Sequence, residues 1–514
     1  MRGKGRALGA LLTALICVPG VVSADVEGGP HPFHGQEIDW RPCLSPQERA
    51  EAVPTEGDPD WLRRLECGTV TVPLDHGDPQ GRTLDLAVIR HPAQGVRQGS
   101  LVIDFGGPGV SGTDTFLSGP LPLGRGVRAG FDLVSFDPRG VGASGGFVCP
   151  LWRYMERPLE WVRDTDPQDV AGDRLEALEK TARALAQSCV EEVGEDFLAN
   201  MGTVNVVRDL DILRDALGDE RLDYLGYSYG TSIGALYAQM YPERTGALVL
   251  DGAVPLEDDV VTRAVEQTGG LQTSWEAFVV HCLDGAPECP FTGIEEATEE
   301  VEKILVDIDA EPLRVNEETV DRHEFLDLLR GSLHTEQLWP NNVLLLARLA
   351  EGERDDFVHD YLAALKRTRP EEVLGAERSA HHAVRCADHI DPTAPDAYQE
   401  GARRASQASP LFGGHEVWRM LPCAFWPDTE VMPTGITAPT APPILVIGTL
   451  GDPATPYAWA RELSEQLTSA TLLTYEGGGH TAYAAGRPCV DEVVDTYLLS
   501  GVPPAPDATC RSRL

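Results

Sequence analysis

A serine hydroxyl attacks a carbonyl only when a base takes its proton and a third group holds that base. Serine, histidine and an acid are therefore sought as a set. Gly-x-Ser-x-Gly occurs three times, at 142–146, 226–230 and 230–234. With 52 glycines in 514 residues, the motif alone selects little. It carries chemistry where a strand runs into it and a helix leaves it, because the serine then sits on a tight turn that the flanking glycines permit. Of the three, 226–230 has the apolar run Leu222–Leu225 before it and a helical pattern after it. Ser144 follows a loop and Ser232 falls inside the helix, so both read as structural. Ser228 is the candidate nucleophile.

On the α/β-hydrolase scaffold the acid and the histidine follow the serine in that order. His480 ends the run Glu476-Gly477-Gly478-Gly479 after the last expected strand, and Asp452 stands in Gly451-Asp452-Pro453 after the strand before it. Gly-Asp-Pro is also ordinary turn chemistry, so Asp452 gains its weight from the order of the set. Acyl transfer further needs two N–H groups aimed at the developing oxyanion. Tyr229, directly after the nucleophile, supplies one. The loop Asp104-Phe105-Gly106-Gly107-Pro108-Gly109 supplies the other, from Gly107 or else Gly106.

The elements needed to position these residues are legible as texture. Gly68–Leu74 and Leu84–His91 read as an antiparallel hairpin across Asp75–Gly81. Ser100–Phe105, Phe131–Phe136, Leu222–Leu225 and Ala247–Leu250 are short apolar runs of the kind buried in parallel sheets. Helices are expected at Val204–Leu217, ended by Gly218, and at Thr231–Tyr241, stopped by Pro242. Charged helical stretches such as Ile294–Ile308 and Arg354–Arg367 follow, before strands return at Ile444–Ile447 and Thr471–Tyr475 and a last helix at Val490–Leu499. The expected fold class is α/β: a mostly parallel core sheet flanked by helices and interrupted by a helical cap. The expected boundaries are a signal segment 1–24, an irregular lead-in 25–60, core 61–255, cap 256–435, and core again over 436–514.

The first 24 residues are basic at Arg2, Lys4 and Arg6, apolar from Ala7 to Val22, and end in Val22-Ser23-Ala24. That is the layout of a secretory signal cleaved near Ala24, and it predicts export. Ile16 before Cys17 is not the small residue a lipoprotein site needs. Cys17 would leave with the signal, and the other ten cysteines would pair in an oxidising compartment. Their order suggests neighbours: Cys43–Cys67, Cys149–Cys189, Cys282–Cys289, Cys386–Cys423 and Cys489–Cys510. Net charge is −39, and removal of the three signal cations makes it more negative. Such a surface argues against nucleic acid and anionic membranes as partners. No long apolar run follows the signal. His381, His382, Asp388 and His389 match no standard zinc spacing, so no metal or cofactor is expected, and a monomer is.

Gly-Gly-Pro-Gly at 106–109, Asp137-Pro138-Arg139-Gly140, and Gly226-Tyr227-Ser228-Tyr229-Gly230-Thr231 together resemble the prolyl iminopeptidase relatives, and most of all the secreted tripeptidyl aminopeptidases. Arg385-Cys386-Ala387-Asp388, Cys423-Ala424-Phe425-Trp426-Pro427 and the segments around Asp452 and His480 extend the resemblance from about 60 to the end of the chain. Phe105 departs from the prolyl iminopeptidase pattern, which often has His there. The resemblance implies a serine exopeptidase that takes short peptides from free amino termini, with cap carboxylates holding the substrate ammonium. No motif singles out which. An esterase or lactonase on the same scaffold, and a non-catalytic binding protein, are the alternatives.

Overall fold

The computed structural model describes residues 32–51, 58, 60–152, 167–285, 288–315, 318–366 and 371–511. The expected signal segment lies outside them. The sheet strands are β1 (Arg41–Pro42), β2 (Glu66–Pro73), β3 (Thr83–His91), β4 (Gly99–Asp104), β5 (Phe131–Phe136), β6 (Leu222–Tyr227), β7 (Thr245–Asp251), β8 (Ile444–Gly451), β9 (Ala470–Gly478) and β10 (Ala508–Arg511). They form one sheet in the order β1-β2-β3-β5-β4-β6-β7-β8-β9-β10. From β5 to β10 every neighbouring pair is parallel, while β1, β2 and β3 join antiparallel.

Period-two alternation sends the apolar residues of the central strands into two cores. Leu101, Ile103, Leu225, Val249, Leu445 and Ile447 pack on one face. Val102, Tyr224, Leu248, Leu250, Ile444 and Val446 pack on the other. Both faces are covered, so no polar alternation survives.

Register gathers the chemistry at one edge. Asp104 pairs with Gly226, Tyr227 with Asp251, Ile447 with Asp251, and Gly451 with Gly478. The carboxyl ends of β4, β6, β7, β8 and β9 therefore lie side by side, where loops of a parallel sheet converge.

Between β7 and β8 the described chain is helical apart from one small hairpin, Leu313–Val315 with Glu318–Val320. This cap has its own cores. One surrounds Trp275, Phe278, Leu305 and Leu346. Another joins Val261, Tyr398, Ala402 and Trp418, and it also buries Leu178 and Ala182 of the helix Asp173–Val193. That helix precedes Ser228 in sequence, so cap packing draws on residues outside the expected insert. The lead-in is less irregular than expected, since it holds β1 and the helix Pro46–Glu51. A third strand, β10, follows the two expected in the last segment; it is too short for a periodicity to register, and Cys489–Cys510 ties it to the final helix. The other bridges join Cys43 to Cys67, Cys149 to Cys189, Cys282 to Cys289 and Cys386 to Cys423, with Cα–Cα distances of 4.7–5.3 Å.

Candidate active site

Ser228 has φ +54°, a left-handed backbone that an L-residue rarely adopts, between the end of β6 and the helix Gly230–Met240. Such strain persists only where the surroundings impose it. They do so here. The Ser228 N–H donates to Asp251 O at 2.8 Å, and the Ser228 carbonyl accepts from Thr231 N at 2.9 Å. A Cβ at Gly226 would collide with Gly230 O, and one at Gly230 would stand 2.7 Å from Asp104 Oδ1. The other two serines are structural: Ser144 is fully buried and its Oγ accepts from Ala87 N, and Ser232 is buried in the helix.

His480 and Asp452 come together from consecutive strand ends. His480 Nδ1 donates to Asp452 Oδ1 at 2.9 Å and lies 3.0 Å from Oδ2. Asp452 also accepts from Ala454 N, Thr455 N and Thr455 Oγ1, each at 2.8 Å. Burial opposes the charge on Asp452, but the neighbouring imidazole and these donors outweigh it and hold the carboxyl below its usual range. Burial likewise opposes a charged His480, and the adjacent carboxylate reverses that, raising its pKa above the ordinary imidazole value. Only Nδ1 is committed to the acid, so Nε2 is the ring nitrogen available for a substrate or nucleophile proton.

Two further buried carboxylates at this edge escaped the sequence reading. Asp251 accepts from Ala482 N at 2.9 Å and Tyr483 N at 2.7 Å, fixing the loop beyond His480, while its own carbonyl holds the Ser228 N–H. Asp104 accepts the Gly106 N–H at 2.9 Å. Burial pushes their pKa values up, to about 6 and about 7 respectively. A strand-final Asp followed by glycine was the available signal for Asp251. Of the two loop glycines expected to serve an oxyanion, Gly106 has its N–H engaged by Asp104. Gly106 and Gly107 have φ +78° and +105°, and a Cβ at Gly106 would strike Tyr227 O. Tyr229 is anchored below, its hydroxyl 2.7 Å from Thr203 Oγ1, which in turn donates to Asp388 Oδ2.

Two cavities flank these groups. One, of about 310 Å³, is bounded by Ser228 and His480 and is otherwise mostly apolar, with Phe105, Leu123, Leu225 and Tyr227 in its wall. The other, of about 170 Å³, lies between Gly107 and the cap, and Arg330, Arg378, Arg385 and Arg419 line it. The one carboxylate in its wall, Glu416, is not available to hold a substrate ammonium, because it pairs with Arg330 at 2.7 Å and Arg419 at 2.9 Å. The cap also reaches the histidine loop directly. His334 O accepts the His480 N–H at 2.9 Å, and Glu336 accepts from Gly478 N. Of the histidines considered as metal ligands, His389 Nε2 lies 2.7 Å from Arg263 Nη2, and His382 lines the arginine cavity.

The family model for the alpha/beta hydrolase fold matches residues 106–277, and that described as TAP-like protein matches 409–510. The chain is 34% identical to serine protease Hip1 of Mycobacterium tuberculosis over 93% of its own length and 92% of the relative's. It is 30% identical to the tripeptidyl aminopeptidase of Streptomyces lividans, over 92% of this chain and 86% of that one. It is 32% identical to carboxylesterase B of Mycobacterium tuberculosis, over 88% of each. Matched along nearly all its length by these relatives, with the TAP-like segment covering both Asp452 and His480, the chain belongs to the TAP-like family of α/β-hydrolases.

Proposed function

We propose that the chain is an exported, monomeric serine exopeptidase that hydrolyses short peptides, tripeptides above all, from free amino termini. His480 Nε2 takes the proton as Ser228 Oγ attacks the scissile carbonyl, and Asp452 fixes the imidazole tautomer and stabilises the imidazolium. The N–H groups of Tyr229 and Gly107 receive the oxyanion. His480 then gives its proton to the leaving amine, and water releases the acyl peptide by the same steps in reverse order. No cofactor enters.

The observation that carries this reading is that His480, hydrogen-bonded to Asp452, shares a cavity with a serine held at φ +54°. The names of two relatives, serine protease and tripeptidyl aminopeptidase, favour a peptide bond as the target. Five disulfides favour export, and no helix of the described residues is long and apolar enough to cross a membrane. The third relative's name, carboxylesterase B, favours an ester substrate as the second reading. A panel of aminoacyl, dipeptidyl and tripeptidyl chromogenic amides, each with a free and an N-acetylated amine, separates the two. Cleavage of the free-amine tripeptidyl amides supports the exopeptidase. Turnover of amine-free esters alone overturns it.

A further inference from the structure

The arginine cavity beside Gly107 is a built site that the hydrolytic chemistry does not use. Its four guanidinium groups are not equivalent. Arg330 and Arg419 are neutralised: Arg419 spans both oxygens of Asp327 at 2.9 and 3.1 Å, Arg330 lies 3.4 Å from Asp327, and both pair with Glu416. Arg385 differs. Its Nε and Nη2 are sealed from solvent and meet no hydrogen-bond acceptor among the described residues.

Among the described residues no carboxylate hydrogen-bonds Arg385, and Glu416, Asp391 and Asp388 act on it only through space. Asp388 accepts from Thr203 N and Thr203 Oγ1, and Asp391 Oδ1 accepts from Val260 N. A second cation, Arg263, stands on the same side and hydrogen-bonds the Pro255 and Asp258 carbonyls and His389. His381 and His382 in the cavity wall add no negative charge. Burial foremost, with Arg385 and Arg378 contributing, keeps both well below the ordinary imidazole value. A part-buried guanidinium with two sealed, idle donors is costly unless something anionic satisfies it. Guanidinium N–H groups suit a carboxylate in particular.

Position says where that carboxylate comes from. The cavity floor is Gly107, the loop residue beside the oxyanion, and a Cβ at the neighbouring Gly109 would touch Glu377 O and His381 N of the cap helix Glu371–Asp388, which carries Arg385. An occupant is thus attached close to the scissile bond. We infer that Arg385 is a specificity-determining residue that binds a carboxylate of the peptide substrate. The inference rests on the peptidase reading above. The carboxylate has two sources, an Asp or Glu side chain or the peptide's own C-terminus.

The test uses the full mature chain and tripeptidyl chromogenic amides carrying Glu or Gln at each position in turn. Unlabelled peptides ending in a free acid or an amide make the second arm. For wild type, kcat/KM is expected to be roughly ten- to a hundredfold higher for Glu than for Gln at one position, or for free acid over amide, as for a hydrogen bond between buried charged groups. Arg385→Met should collapse that ratio towards one and Arg385→Lys should restore part of it, with thermal melts reporting that each variant is folded. Binding of the same peptide pairs to Ser228→Ala, by calorimetry, should show the same preference without turnover. Equal kcat/KM and equal binding within every pair overturn the inference and leave the peptidase reading standing. Neither binding nor turnover of any peptide overturns that reading, and the inference with it.

Discussion

The two cavities, one beside Ser228 and the other beside Gly107, are built on opposite principles. The apolar one is a by-product of the sheet: Leu225, Tyr227 and Ile103 are strand residues, and Phe105 stacks on Tyr227 at 6.2 Å between ring centroids. Its wall follows wherever those strands pair. The cationic one is assembled from segments near 107, 264, 330, 378–385 and 416–420, most of them in the cap, and no strand register fixes it. Ser228 thus sits where backbone geometry is over-determined, and the cationic cavity where helix packing sets the lining, from a cap that also braces the His480 loop through His334 and Glu336. That division is what function grafted onto a shared fold looks like at the level of residues.

The sharpest way to break the comparison is to remove the chemistry and leave both cavities intact. Ser228→Ala should lower kcat by roughly 10⁵-fold or more on any substrate, with folding retained. Residual activity of a few per cent would place the nucleophile elsewhere. Asp452→Asn should cost roughly 10⁴-fold, because an amide in that place favours the wrong tautomer of His480. Asp251→Asn tests the other buried carboxylate at the same edge. It holds the histidine loop and touches no reacting atom, so a loss on the order of 10-fold is expected. Equal losses at the two positions would mean that the acid's identity has been misassigned.

How much of this was legible follows from the same division. Ser228, Asp452 and His480 could be read because each is local: a strand end, a short loop and a characteristic residue all within a few positions. The alternating two-core strands announced themselves as apolar runs for the same reason. Asp104 could not be read, and Asp251 only as an aspartate ending an apolar run before a glycine. A buried aspartate is marked by its partners, and those of Asp251 lie more than 200 residues away at Ala482 and Tyr483. The engagement of the Gly106 N–H turns on one side-chain oxygen of Asp104. Arg385 stands out in the sequence only within Arg385-Cys386-Ala387-Asp388, with no role attached, because periodicity reports which residues share a side and not what covers it. The packing of Glu371–Asp388 against the glycine loop appears only in the fold.

A pH profile probes the chemical half of the comparison more gently. The base must be neutral to accept the serine proton, and Asp452 raises the His480 pKa above its ordinary 6.5. The acid limb of kcat/KM should therefore lie above 6.5. Below it the rate should fall about tenfold per pH unit. Asp452→Asn should move the limb to lower pH, since removing the negative charge removes what favoured the imidazolium. An unmoved limb would assign it to another group.

The smallest effect belongs to the apolar wall. Phe105 packs against Tyr227 and Phe116 and contributes no group to the reaction. Phe105→Ala should enlarge the cavity beside Ser228 and shift selectivity among apolar side chains by roughly tenfold, the scale expected of methylene-sized differences in such a pocket. The catalytic limb of the pH profile should stay in place, as should the preference for a substrate carboxylate, because neither Asp452 nor Arg385 touches this wall. If Phe105→Ala altered the carboxylate preference as well, the two cavities would be one continuous site, and the separation between a sheet-built pocket and a cap-built one would not hold.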